Sequence, residues 1–102
     1  MALNGIKNIK IENIKGIIDL DLSFDELLLV NKLNILVANN GFGKTSFARA
    51  MGYLNEAKLE LKNDDINEYA KGFPLVEMEY VINDKWYNKI ADQKKNNIKD
   101  DL

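Results

Sequence analysis

Apolar and polar residues alternate near the start of the chain. Ile9 and Ile11 are set against Asn8, Lys10 and Glu12, the period of two expected of a half-buried strand. The alternation restarts after Asn13-Ile14-Lys15-Gly16, with Ile18, Leu20, Leu22 and Phe24 on one side and Asp19, Asp21, Ser23 and Asp25 on the other. So short a link predicts an antiparallel hairpin, with Gly16 supplying the turn. The run LNILV, Leu33 to Val37, differs because Ile35, Leu36 and Val37 are consecutive. That suits a central strand covered on both faces.

From Thr45 the period becomes helical. Phe47, Met51 and Leu54 stand at i, i+4 and i+7, with Ala48 and Ala50 between them as small helix formers. These three predict a core stripe, and Arg49 falls on another face. Residues 56 to 72 are polar with irregular apolar spacing and read as a loop with one short helix. Alternation then returns in LVEMEYVIND, with Val76, Met78, Tyr80 and Ile82 against Glu77, Glu79 and Val81. KWYNKI resumes it after Asn83-Asp84, which predicts a second hairpin. The end of the chain, 92–102, has no usable period and is expected to be a frayed tail or linker, with Asp100 and Asp101 solvated.

Composition narrows the chemistry. With 102 residues the chain is one domain or part of one, and with 46% hydrophobic and 29% charged residues it is expected to fold rather than remain disordered. No apolar run approaches the length of a membrane span, and the start lacks a signal-peptide layout, so a cytoplasmic protein is expected. The absence of cysteine and histidine removes disulfides, thiolate sites, the commonest zinc ligand and the commonest general base. Any metal would be a hard, oxygen-bound ion. A net charge of -2 supplies no general attraction to nucleic acid.

Against that background the stretch NILVANNGFGKTSFARAM stands out. Ala38, Asn39, Asn40, Gly41, Phe42, Gly43, Lys44 and Thr45 fit the phosphate-loop pattern GxxxxGK[ST] at every position but the first, where alanine replaces glycine. A lysine at a helix start is unfavourable beside the positive end of the helix dipole unless an anion neutralises it. Glycines there let successive backbone amides converge on one oxyanion. The segment therefore predicts a nucleotide-phosphate site. Amides from Gly41 to Ser46 would cradle the α- and β-phosphates. Lys44, the candidate catalytic residue, would bridge the β- and γ-phosphates, and the Thr45 hydroxyl would ligate Mg²⁺. Asn39 and Phe42 belong to the same loop, and Asn40 would brace it by bonding its own backbone. Ser46 would either bond the α-phosphate or serve as an early-helix polar residue.

IKIENIKGI, LDLSF and LNILVANNGFGKTSFARAM, in that order, resemble the N-terminal opening of the ABC-type ATPase heads of RecF-like, SMC-like and OLD-like proteins. NIKG, Asn13 to Gly16, matches their asparagine-aromatic-arginine turn, with Ile14 for the aromatic and Lys15 for the arginine. VEMEYVINDKWYNKI resembles the hairpin that follows their phosphate-loop helix, so the likeness spans residues 6 to 91. It implies a phosphate contact for Lys15, although lysine cannot reproduce a guanidinium fork. It also implies ATP and Mg²⁺ as cofactors, a homodimer of heads with nucleotide between them, and DNA as an associated partner.

The fold expected on these grounds is an α+β N-terminal lobe of a phosphate-loop ABC-type head, with antiparallel hairpins and a central strand feeding the phosphate-loop helix. The function expected is the ATP-binding part of a DNA-associated ATPase in genome maintenance or defence against foreign DNA. Hydrolysis would need the remainder of the head, because the glutamine loop, signature motif, Asp-Glu strand and switch histidine of such families are not found here; Gln93 sits in a polar stretch. The alternative is a non-catalytic nucleotide-sensing or assembly subunit that uses ATP to dock a partner.

Overall fold

The computed structural model describes residues 5–28, 44–67, 69 and 72–101. Strands β1 (Gly5–Ile14) and β2 (Ile17–Leu28) form the first hairpin, and β3 (Leu75–Ile82) and β4 (Lys85–Ala91) the second. Helix α1 (Lys44–Tyr53) and a 3₁₀ turn, Asn63–Asp65, lie between them in the chain. Both expected hairpins are present. They do not stand apart, because β1 also pairs antiparallel with β3, giving one sheet in the order β2-β1-β3-β4.

This overturns the expected fold class. The described residues are mostly β, a small four-stranded antiparallel sheet with one α-helix, not the α+β lobe of a phosphate-loop ABC-type head. The reason lies in β1, whose apolar residues face two partners at once. Ile9 stands opposite both Leu22 and Met78, and Ile11 opposite both Leu20 and Val76, so burying them closes the two hairpins onto each other. The expected central strand, Leu33 to Val37, lies outside the described residues.

Simple alternation misses how β1 fills the core. Ile6 pairs with Tyr80 and Asn8 with Glu79, so two steps along β1 answer one along β3, and Lys7 is the extra residue of a bulge. The bulge resets the pleat, and Ile6 and Ile9, three apart, both face inward. Asn13, in the left-handed region at φ 60°, does the same at the other end and brings in Ile14. All four isoleucines, Ile6, Ile9, Ile11 and Ile14, are fully buried.

The turn corrects a second expectation. Lys15, at φ 50°, takes the left-handed conformation beside Gly16 in the two-residue link. Ile17 sits opposite Ile14 and shares its face, so Ile17 is buried while Ile18 is 51% exposed. In the second hairpin Asn83 and Asp84 have φ of 51° and 66° between the paired Ile82 and Lys85. Two consecutive positive φ values give the type I′ turn whose twist matches the flanking strands.

Helix α1 covers the inner face of the sheet. Phe47 and Leu54 are buried as the stripe requires, Ala50 joins them, and Met51 packs at the margin. Burying Phe47 or Leu54 is worth about 1.5 to 3 kcal/mol each. The opposite face carries Lys10 between Asp21 and Glu77, with an ion pair from Lys10 to Glu12 at 3.4 Å.

Residues 92–101 are not the frayed tail expected. Asn96 bridges to Ala91, its side-chain amide donates to the carbonyls of Leu54 and Glu56, and Ile98 is fully buried. Asp101, expected to be solvated, accepts from the Tyr80 hydroxyl at 2.5 Å and pairs with Lys89 at 2.8 Å. A single isoleucine between polar residues has no period to reveal it. Among the described residues no helix is long and apolar enough to cross a membrane.

Candidate functional site

Lys44, Thr45 and Ser46 are the first described residues of helix α1. This first described turn holds no acidic residue that would repel an anion. Of Lys44 and Thr45 the structure describes the backbone. Asn39, Asn40, Gly41, Phe42 and Gly43 lie outside the described residues.

Ser46 is buried, and its Oγ accepts a hydrogen bond from the Gly16 amide at 3.1 Å. The hydroxyl therefore fastens the first turn of α1 to the β1–β2 link. It retains a proton that can be donated elsewhere. Gly16 is required here by proximity rather than by backbone conformation, since a Cβ on it would stand 2.8 Å from Ser46 Oγ. Asn13 closes the other side of the link, its Nδ2 donating to the Phe73 carbonyl at 2.9 Å.

Lys15 lies beside a fully buried carboxylate, Asp65. Its amide donates to the Asp65 carbonyl at 2.6 Å, and its Nζ is 3.8 Å from Asp65 Oδ1 and 3.4 Å from the Asp64 carbonyl. Arg49 grips the same carboxylate with two bonds, from Nε and from a terminal guanidinium nitrogen, both at 3.0 Å. The Tyr53 hydroxyl donates to Asp65 Oδ2 and accepts from the Lys62 amide. One buried acid thus joins the link after β1, the middle of α1 and the 3₁₀ turn.

The electrostatics follow from this arrangement. Burial alone would raise the Asp65 pKa, but hydrogen bonds from Arg49 and Tyr53 and the charges of Arg49 and Lys15 outweigh it, holding it below the ordinary carboxylate value. The bond to Asp65 raises Arg49, and burial followed by the same carboxylate raises Tyr53. Among the described residues no buried side-chain nitrogen or oxygen lacks a partner.

Sequence reasoning placed Lys15 and Ser46 in the site but missed Arg49, Tyr53 and Asp65. Arg49 and Tyr53 are four apart and so share a helix face, a signal that was legible. Asp65 carries none, standing beside Asp64 in a polar loop. Gln93 is exposed on the rim of a separate cleft of about 460 Å³ with Asn13, Ile66, Asn67 and Phe73.

A scan against protein-family models finds no match, and searches of curated proteins and of solved structures find none either.

Proposed function

We propose that the chain is the Mg-ATP-binding N-terminal part of a larger ATPase. What supports this reading is that Lys44, which follows Gly41-Phe42-Gly43 in the sequence, lies in helix α1, whose first described turn holds no acidic residue. A lysine there adds to the positive helix end, a combination that favours a polyphosphate. In this reading Lys44 contacts the β- and γ-phosphates, and backbone amides from Gly41 to Ser46 hold the remaining oxygens. Mg²⁺ fits the donor chemistry through the Thr45 hydroxyl, phosphate oxygens and water, its usual hard-oxygen environment.

Among the described residues no three acidic groups gather as a metal site, so no protein cage for the ion is invoked. In-line transfer to water also needs a positioned nucleophile and further charge stabilisation. These are assigned to other segments or to a second copy, within a DNA-associated ATPase. The resemblance of the sequence supports that setting, and DNA enters through it alone.

The test is titration calorimetry of Mg-ATP against the chain and its Lys44→Ala variant. Loss of charge-assisted bonds costs about 1.5 to 3 kcal/mol, roughly 10- to 150-fold in affinity. Equal binding by the two proteins rejects the phosphate-loop reading.

A further inference from the structure

Strand β2 lies at one edge of the sheet, and the pairing of the other strands fixes where its backbone groups point. The type I′ turn makes Ile82 and Lys85 a hydrogen-bonded pair, so along β3 Tyr80, Met78 and Val76 also bond toward β4. The Ile90 carbonyl, in the opposite phase of β4, points outward and accepts from the Asn97 amide at 3.1 Å, as this phase requires. Glu77 and Glu79 then bond toward Lys10 and Asn8 of β1, which leaves Ile9 and Ile11 to bond Leu22 and Leu20 of β2. The backbone amides and carbonyls of Asp19, Asp21 and Ser23 therefore point away from β1, and among the described residues no strand lies beyond them.

The side chains along this edge alternate in character. Asp19, Asp21 and Ser23 are exposed on the outer face, while Leu20 is buried and Leu22 and Phe24 are only partly buried against the core. Neither aspartate forms an ion pair among the described residues, since Lys10 is paired with Glu12.

We propose that the β2 edge takes up, by strand addition, an extended segment of a partner protein in which lysine or arginine alternates with apolar residues. The main chain of that segment bonds the outward groups of Asp19, Asp21 and Ser23, its cations lie opposite Asp19 and Asp21, and its apolar residues extend the cover over Leu22 and Phe24. A second copy of the chain does not fit. Antiparallel pairing of two β2 strands in this phase sets Asp19 of one copy against Asp21 of the other, or Asp21 against Asp21, and like charges directly opposite repel. The edge is separate from the nucleotide reading and does not rest on it.

The experiment is nuclear magnetic resonance of the isotope-labelled chain, following amide exchange and titration shifts with three synthetic peptides: lysine alternating with valine, glutamate alternating with valine, and lysine alternating with glycine. The lysine–valine peptide should bind and slow exchange at Asp19, Asp21 and Ser23, whose amides exchange freely in the chain alone. The glutamate–valine peptide should not bind, and the lysine–glycine peptide, equal in charge but a poor strand former, should bind more weakly. Asp21→Asn should weaken lysine–valine binding about two- to fivefold, the range for one cross-strand charge pair. Asp19→Lys combined with Asp21→Lys should transfer the preference to the glutamate–valine peptide. Protection of the three amides in the free chain would mean that another segment of the same chain already holds the edge, and overturns the proposal. So does equal binding of the two valine peptides, lysine–glycine binding as tight as lysine–valine, or shifts that map away from β2. If the double lysine variant does not fold, Asp21→Asn decides, and unchanged affinity there overturns the proposal.

Discussion

The Gly16 amide and the Ser46 hydroxyl meet across 3.1 Å, so the link between the first two strands is tied directly to the opening turn of the helix. A side chain at Gly16 cannot keep that contact, because its Cβ would lie 2.8 Å from the Ser46 oxygen. Gly16→Ala should destabilise the chain by about 1 to 3 kcal/mol, the usual cost of overpacking. With Ser46→Ala added, the nearest atom from Ser46 becomes its Cβ at 3.8 Å, and part of the loss should return. Urea unfolding of the single and double variants measures that coupling, and strict additivity would show that the contact is not what makes Gly16 necessary.

The Asn83-Asp84 turn holds two residues with side chains in the left-handed region. Glycine takes that conformation without steric cost but pays more entropy on folding. Asp84→Gly should therefore stabilise by about 0.5 to 1 kcal/mol, and a β-branched valine at Asn83 should destabilise by at least as much. Chemical denaturation midpoints read both, and a stabilising Asn83→Val would contradict the turn assignment.

Both hairpins and the Phe47 to Leu54 stripe were legible because each is a local period that burial preserves. The closure of β1 on β3 was not, since alternation shows that a face is apolar but not which of two neighbours covers it. Ile6, Ile14 and Ile17 escaped for another reason. A bulge at Lys7 and left-handed residues at Asn13 and Lys15 shift the pleat, and these events leave little trace in a binary pattern. In the candidate site, Lys44 to Ser46 drew notice through a cation expected at a helix start, where it is unfavourable without an anion. Asp65 was hidden because its burial is created by partners 16 and 50 positions away, Arg49 and Lys15.

Acid should loosen the molecule through two carboxylates. Asp65 is held below its ordinary value as described, and Asp101 likewise by hydrogen bonds from Lys89 and Tyr80. The unfolded chain takes up these protons first as pH falls, so the stabilisation is complete above the ordinary carboxylate range and disappears as pH drops through the folded values. Asp101→Asn should flatten the acid limb of a plot of Tm against pH. An unchanged limb would remove Asp101 from this account.

Alkali should act through Tyr80. Its hydroxyl is raised above the ordinary value of 10.0 by burial first and then by the bond to Asp101. The unfolded chain releases this proton first as pH climbs past about 10, so that stability declines from there. Tyr80→Phe should lessen the decline, as followed by circular dichroism.

Ile98 is fully buried in the segment that follows β4 and bridges back to Ala91. Ile98→Ala should cost about 2 to 5 kcal/mol, the range for emptying a core isoleucine site. A loss below about 0.5 kcal/mol, the size expected for a surface substitution, would mean that the segment is not anchored there.

The pairing of β1 with β3 carries a kinetic consequence. Glu12 meets Leu75, so the middle of the sheet joins positions far apart in the chain, while each hairpin closes over a two-residue link. Loop-closure entropy opposes the distant pairing and scarcely opposes the near ones. The hairpins are therefore the early-forming units, and the barrier to folding lies in bringing them edge to edge. Helix α1 and Asp65 are both contained in the loop that this step closes. Anything that orders the loop, a bound polyphosphate included, shortens the disordered span to be closed and should quicken the joining of the sheet.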